Sequence, residues 1–259
     1  MIQTMYNGLH GMLSHQQNLD TIANNIANVN THGYKRSRTE FKETLYARML
    51  SPTDNAPQIN LQRGTGVVPA QTLHNFGQGA SLDTARTLDF ALEGPGFFTV
   101  VTPAGERLYT RDGAFYLTPE ADGDYLVDKQ GCYLLGADGA RIRIPGDASS
   151  LSADARGALS LRTETGDDAV PFARLALTEF DNPGGLQAAG DSRYRPSENA
   201  GAPREAIDTT LRQGALEASN VDYAEEMARL IRAQRAYQLS SRCVTTADQM
   251  AQICNSIRS

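Results

Sequence analysis

Both ends of the chain carry the three- and four-residue apolar spacing of an amphipathic helix. Across residues 2–29 this spacing has one polar member, Gln16. It predicts a helix stopped by Gly33, which suits a left-handed cap. Residues 221–259 contain no Gly or Pro, and Asp222 with Glu225 resembles a capping box, so a second long helix is predicted there. The predicted apolar seams are Ile2, Met5, Leu9, Met12, Gln16, Leu19, Ala23 and Ile26, and then Tyr223, Met227, Leu230, Gln234, Tyr237, Ser241 and Val244.

The middle of the chain has a different pattern. From about residue 87 to residue 145, short runs of β-forming residues alternate with Gly turns, which predicts antiparallel hairpins. Phe97 and Phe98 alternate in direction along a strand, so we expect one ring in the core and the other at a rim or contact. Residues 181–210 are polar and rich in Gly, Pro and Ser, and predict an irregular return segment.

This order of patterns predicts an α+β fold. Long N- and C-terminal helices form a coiled-coil-like unit, with an antiparallel β-rich middle domain inserted between them. We expect an N-terminal helical segment at 1–50, an extended connector at 51–69, the β-rich domain at 70–210 and the C-terminal helix at 211–259. The two seams can be buried against neighbouring copies, or against the β domain of a monomer, and periodicity leaves both open.

Composition narrows the class of function. The chain has 259 residues and a net charge of −6, and it lacks the basic block that nucleic-acid binding requires. It has no apolar run long enough to span a membrane, and its N-terminus does not have the pattern of a cleaved secretory signal. The spacings of its four histidines and three cysteines favour neither a metal site nor a disulfide framework. We therefore predict no catalytic, cofactor-binding or metal-binding residue, and the role of Cys132, Cys243 and Cys254 stays open.

Four motifs in order carry a specific resemblance. Residues 22–36 (IANNIANVNTHGYKR), residues 96–98 (GFF), residues 109–115 (YTRDGAF) and residues 213–222 (QGALEASNVD) together resemble the rod and hook family of bacterial flagellar axial proteins. The resemblance covers nearly the whole chain, and among the family it is greatest to the distal rod members.

The resemblance implies a structural subunit of the flagellar basal body. Such a subunit is exported through the flagellar type III system and polymerises into a hollow helical tube that transmits torque and encloses the export channel. Its implied partners are other copies of itself, the adjacent proximal rod and hook or junction proteins, and basal-body ring proteins. A proximal rod or hook-type protein is the alternative within the family. A soluble ligand-binding or carbohydrate-acting β protein is the alternative from a different class.

We expect self-assembly to use residues of both helices and of the motif that follows the first. The candidate interface residues are Leu9, Met12, Leu19, Asn24, Asn25, Ile26, Asn28, Gly33, Met227, Leu230, Gln234, Tyr237, Val244 and Met250. The asparagine amides can bond between copies or cap the helix end locally.

Overall fold

The computed structural model describes residues 2–50, 61–145, 151–162 and 169–258. Helix α1 spans Ile2–Ala27 and helix α2 spans Tyr223–Arg258, so both predicted terminal helices are confirmed. Asp222 caps α2, because its Oδ1 atom accepts hydrogen bonds from the amides of Ala224 at 2.9 Å and Glu225 at 3.1 Å. Glu225 pairs with Arg229 at 2.6 Å one turn later.

Between the helices the chain is built from short strands, and every pair of them is antiparallel. This confirms the predicted hairpin character. The strands are β1 (Ser37–Glu43), β2 (Ala47–Leu50), β3 (Leu61–Arg63), β4 (Val67–His74), β5 (Ser81–Asp83), β6 (Phe90–Glu93), β7 (Phe97–Val101), β8 (Arg107–Thr110), β9 (Tyr116–Glu120), β10 (Gly123–Val127), β11 (Tyr133–Leu134), β12 (Arg143–Ile144), β13 (Leu151–Ala153), β14 (Ala158–Arg162), β15 (Ala169–Arg174), β16 (Leu177–Glu179), β17 (Gln187–Gly190), β18 (Arg193–Arg195), β19 (Arg204–Glu205), β20 (Thr210–Gln213) and β21 (Ala215–Glu217).

The chain divides into two units. Unit 1 contains residues 1–27, 37–74 and 222–259, and unit 2 contains residues 28–36 and 75–221. Unit 1 therefore holds both helices and strands β1–β4, and unit 2 holds β5–β21. Strands β1 and β2 occupy part of the range predicted as an N-terminal helical segment. The predicted C-terminal helix at 211–259 is too long, because most of β20 and all of β21 lie within that range and α2 begins at Tyr223. Residues 51–60 of the predicted connector lie outside the described residues, and residues 61–69 include β3 and the start of β4.

In unit 1, small residues bring the two helices together. A Cβ atom on Gly8 would lie 2.8 Å from Val244 Cγ2, and one on Gly11 would lie 3.2 Å from Ser240 Oγ. The face of α1 that packs within the subunit lies about one residue from the predicted seam, since Leu9 is 42% exposed while Gly8 is buried, and burial of the seam against neighbouring copies stays a prediction. A search for large apolar residues overlooks glycines, although glycines permit the closest approach of two backbones. The buried positions of α1 are Gly8, Gly11, Ser14, Ile22 and Asn25.

In unit 1 a ribbon of β1 and β4 packs on α1. The ribbon pairs Ser37 with His74 at one end and Glu43 with Val67 at the other. The Thr21 hydroxyl on α1 bonds to that of Thr39 on β1 at 2.8 Å. Side chains of α1 thus satisfy polar groups of the ribbon, which fixes its position along the helix.

The main sheet of unit 2 has the strand order β12-β10-β11-β7-β8-β18-β17, with β16 also paired to β7. Phe98 meets Phe115 edge to face at 5.3 Å in the larger core cluster. Phe97 lies in a second cluster with Phe180 and Tyr194. The prediction that one of the two rings lies at a rim is wrong, because Phe97 and Phe98 are 1% and 0% exposed. Both sheet faces are covered here, so alternation puts each ring in a core.

Residues 181–210 are also more regular than predicted. They form the hairpin β17–β18, which extends the main sheet through pairing of Tyr194 with Tyr109 on β8. Asp191 and Ser192 make the turn with positive φ angles. Each of these two strands is only three or four residues long, which is too short for a periodic apolar pattern to emerge.

We predict that Gly113→Ala lowers the free energy of unfolding of unit 2 by about 3 kcal/mol or more. A Cβ atom there would lie 1.7 Å from the Phe90 carbonyl oxygen, so the backbone of β6 must move. Gly184→Ala is the matched control in unit 2, since its Cβ would meet only the side-chain oxygen of Asn182, at 3.3 Å. Urea unfolding followed by near-ultraviolet circular dichroism checks this, and equal midpoints for the two variants would contradict it.

Candidate functional site: the terminal motifs and the helix pair

The predicted interface residues lie in two environments. On the helix pair, Leu9, Asn24, Gln234 and Met250 are exposed, and Met12, Leu19, Ile26, Met227, Leu230, Tyr237 and Val244 are half-buried. Asn25 and Gly33 are buried, and Asn28 lies in the turn after α1. The structure therefore gathers most of these residues on one helix pair, but it uses the two buried ones inside the subunit.

Asn25 ties the end of α1 to its own chain. Its amide nitrogen donates to the Ser37 carbonyl at 2.8 Å and to Glu226 Oε2 at 3.1 Å, and its oxygen accepts from the Ser37 amide at 2.9 Å. Asn28 accepts a hydrogen bond from the Thr31 hydroxyl at 3.1 Å, which is a local turn contact. For these two asparagines the structure shows bonding within the chain.

The part of the N-terminal motif that follows α1 contains a glycine, Gly33, that no other residue can replace without strain. Gly33 has a φ of 66°, as the predicted left-handed cap requires. A Cβ atom there would lie 2.4 Å from the amide nitrogen of Asp112. The Gly33 amide donates to the Glu217 carbonyl at 2.9 Å. The N-terminal motif thereby touches both the middle motif and the C-terminal motif within unit 2.

Two residues further on, Lys35 enters a buried ion cluster. Its Nζ atom lies 2.6 Å from Glu217 Oε1 and donates to the Gly77 carbonyl at 2.9 Å. Arg111 Nη1 lies 3.4 Å from the other Glu217 oxygen. The side chains of all three residues are at most 2% exposed. We call Lys35, Arg111 and Glu217 the buried triad.

Further hydrogen bonds complete the triad. The Gly79 amide donates to Glu217 Oε1 at 2.8 Å, and Arg111 Nη2 donates to the Gly94 carbonyl at 2.7 Å. The Arg111 guanidinium also lies 5.1 Å from the centre of the Phe97 ring. Burial lowers the pKa of Lys35 and of Arg111, and the attraction of Glu217 opposes that effect in both.

Asn220 holds the neighbouring backbone. Its oxygen accepts from the Arg36 amide at 2.8 Å, and its nitrogen donates to the carbonyls of Asn75 and Gly77, each at 2.8 Å. The Asn75 amide in turn donates to the Arg36 carbonyl at 2.8 Å. One side-chain amide thus satisfies three backbone groups from two distant parts of the chain.

Prediction from the sequence missed Lys35, Arg111, Glu217 and Asn220 as site residues, although all four lie within the quoted motifs. The sequence does contain a signal for a buried charge, because Glu217 follows Ala215 and Leu216 in an otherwise apolar run. A charged residue in such a run is buried only with partners.

The rest of the described chain offers little for small-molecule chemistry. No group of three or more His, Cys, Asp or Glu residues in the described ranges has the geometry to hold a metal ion. Cys132 is buried, Cys243 and Cys254 are exposed, and all three are free. Neither described helix is apolar enough over a sufficient length to cross a lipid bilayer.

Three family models match the chain in order. Residues 5–35 match the flagella basal body rod protein model, residues 91–161 match the flagellar hook protein FlgE/F/G D1 domain, and residues 212–257 match the flagellar basal body rod FlgEFG protein C-terminal model. Each of the three contains one member of the buried triad.

Curated relatives agree over the full length. The chain is 35% identical to the flagellar basal-body rod protein FlgG of Borreliella burgdorferi, over 100% of this chain and 99% of that protein. It is 37% identical to the protein of the same name from Agrobacterium fabrum, over 94% of each. The chain belongs to the flagellar basal-body rod protein family.

Within this family the likeness to other members is also substantial. The flagellar hook-basal body complex protein FlhP of Bacillus subtilis is 32% identical over 100% of each chain. Among solved structures, the hook protein FlgE2 of Helicobacter pylori matches 61% of this chain and 45% of its own, with 15% identity. The TM-score of this match is 0.25.

We predict that Glu217→Gln destabilises this rod-family protein by about 3–5 kcal/mol, and Lys35→Met by about 3 kcal/mol. The first change leaves two buried cations without a counter-charge, whereas the second leaves Glu217 with Arg111 and the Gly79 amide.

Lys129→Met is the matched control for these two variants. Its ion pair with Asp112 at 3.0 Å involves a lysine side chain that is 46% exposed, so the expected loss is below about 1 kcal/mol. Denaturant unfolding measures all three, and a Glu217→Gln variant as stable as the Lys129→Met variant would contradict the prediction.

Proposed function

We propose that this chain is a structural subunit of the distal part of the flagellar rod. It polymerises helically into a hollow tube that transmits torque and encloses the export channel. The observation that carries the proposal is the match along the whole chain to proteins named as basal-body rod proteins. The proposal places it in the basal body and assigns it no reaction.

Exposed apolar residues on the helix pair of unit 1 support the proposal that copies of this chain assemble through their helices. Tyr223, Ile231 and Leu239 on α2 are 52%, 51% and 61% exposed. These three residues are eight positions apart and turn around the helix, so each is a separate apolar position whose burial between copies would add favourable free energy. A tube in which helices of neighbouring copies pack together would bury them, and an open helical polymer needs such contacts between unlike surfaces.

The proposed partners follow from position along the rod. Copies of the same chain form the tube, the adjacent proximal rod proteins and the hook or junction proteins meet its two ends, and basal-body ring proteins surround it. Export through the flagellar type III system is part of the same proposal.

An epitope inserted at Gly105 tests the placement. Gly105 lies in the turn between β7 and β8, where nothing comes within 4 Å of its added Cβ position. We expect motility to be kept, and gold-labelled antibody to mark rods freed of the surrounding ring proteins on the half nearest the hook.

The same epitope at Gly190, the equally open last residue of β17, is the second insertion site and should give the same label. Label at the inner half of the rod from both sites would favour a proximal rod protein. Motile cells whose ring-free rods carry no label from either site would contradict the proposal.

A further inference from the structure

Helix α2 extends past the end of α1. At one end of the pair Asn25 bonds to Glu226, further along Gly11 faces Ser240, and then Gly8 faces Val244. The two helices are therefore antiparallel, and each residue along α1 corresponds to one residue along α2. Since α1 starts at Ile2, its start lies opposite about residue 249, given 1.5 Å per residue in both helices. The last turns of α2, residues 250–258, thus form an overhang about 13 Å long.

The overhang carries an apolar stripe. Met250, Ile253 and Ile257 follow the spacing that puts side chains on one face of a helix, and they are 54%, 58% and 80% exposed. Within the described residues, unit 1 therefore leaves the stripe uncovered. We call these three residues the overhang stripe.

Helix α1 carries a second stripe with the same spacing. Tyr6, Leu9 and Leu13 also stand three and four residues apart, and they are 56%, 42% and 53% exposed. They point away from the glycines that face α2. We call them the α1 stripe, and each of the two stripes is about 10 Å long.

Both stripes lie in stretches without charge. Residues 2–19 and residues 249–257 contain no Asp, Glu, Lys or Arg. The part of α2 between Asp222 and Asp248 carries charged residues throughout. Exposed helix faces usually carry charge, whereas the centres of protein interfaces are depleted of it. Residues 21–27 and 236–241 are also uncharged, but only the two stripes combine an uncharged stretch with three large apolar side chains exposed at three- and four-residue spacing.

The two stripes of one copy cannot meet each other. Leu9 lies opposite about residue 243, so Ile253 is displaced from it by about 15 Å along the helix axis. A second copy shifted along that axis brings its α1 stripe level with the overhang.

We propose that the overhang stripe of one copy packs against the α1 stripe of a second copy. The inference rests on the proposed function and names the surfaces that make one of its contacts. Because the two surfaces differ, each copy offers one of each kind, and the contact repeats along an open polymer without closing on itself.

Two opposite charges placed on the two stripes test the contact. Leu9→Glu and Ile253→Lys each put a charge into an apolar contact, so each alone should raise the critical concentration for assembly at least about tenfold. Both positions are exposed, so the variant monomers should keep the circular dichroism of the wild type. Leu13→Glu and Met250→Lys form a second pair with the same expected results.

Mixing the two variants gives the decisive result. In an equimolar mixture the introduced carboxylate of one copy meets the introduced ammonium of the next, and the alternate junctions are unchanged. We expect the mixture to assemble within about threefold of the wild-type critical concentration, because the pair of opposite charges offsets the lost apolar contact. Co-expression in cells that lack this chain should likewise restore motility that neither variant restores alone.

Ile207→Lys is the matched control, because Ile207 is 87% exposed on unit 2 and should tolerate the change without effect on assembly. Single variants that assemble like the wild type, or blocked variants that mixing does not rescue, would overturn the inference. A wild-type chain that neither polymerises nor restores motility to a deletion strain overturns the proposed function, and the inference with it.

Discussion

The carboxylate of Glu217, buried between two cations, is the interaction on which the rest of the subunit depends. Moving a carboxylate out of water costs several kcal/mol, and Lys35, Arg111 and the Gly79 amide offset that cost only when all of them are in place. Three apolar side chains of the same total volume could replace the triad with equal stability, but they would pack equally well in other arrangements of these segments. We infer that the triad specifies which three segments of the chain come together more than it adds net stability.

Those three segments are the ones that the family models match. The triad gathers the motif after α1, the middle motif and the motif before α2 into unit 2, where Gly33 and Asn220 complete the backbone hydrogen bonding. The segment that follows α1 and the segment that precedes α2 are consequently part of a packed β unit. In unit 1 the helices pair closely through small residues and keep large apolar residues exposed. A subunit built in this way combines a fixed β unit with helices suited to contacts between copies.

Much of the fold could be predicted from the sequence, because long elements repeat their pattern many times. The periodic stretches at 2–29 and 221–259 predicted both helices closely, and the antiparallel hairpins between residues 87 and 145 were predicted as a group. The hairpin β17–β18 was missed since its strands are too short to show a period. The face of α1 that meets α2 was not identified, because glycines rather than large apolar residues make its closest contacts. The triad was missed as a site because Lys35, Arg111 and Glu217 are far apart in sequence, and only tertiary structure brings them together.

Hydrogen exchange on the dilute, wild-type monomer tests most directly whether the triad joins the terminal motifs to the β core. The account predicts that the amides of Gly33 and Ala218 open with the same free energy as those of β7, because they exchange only when the whole unit unfolds. Rapid exchange of these two amides, at the rate of a fraying helix end while β7 stays protected, would contradict it.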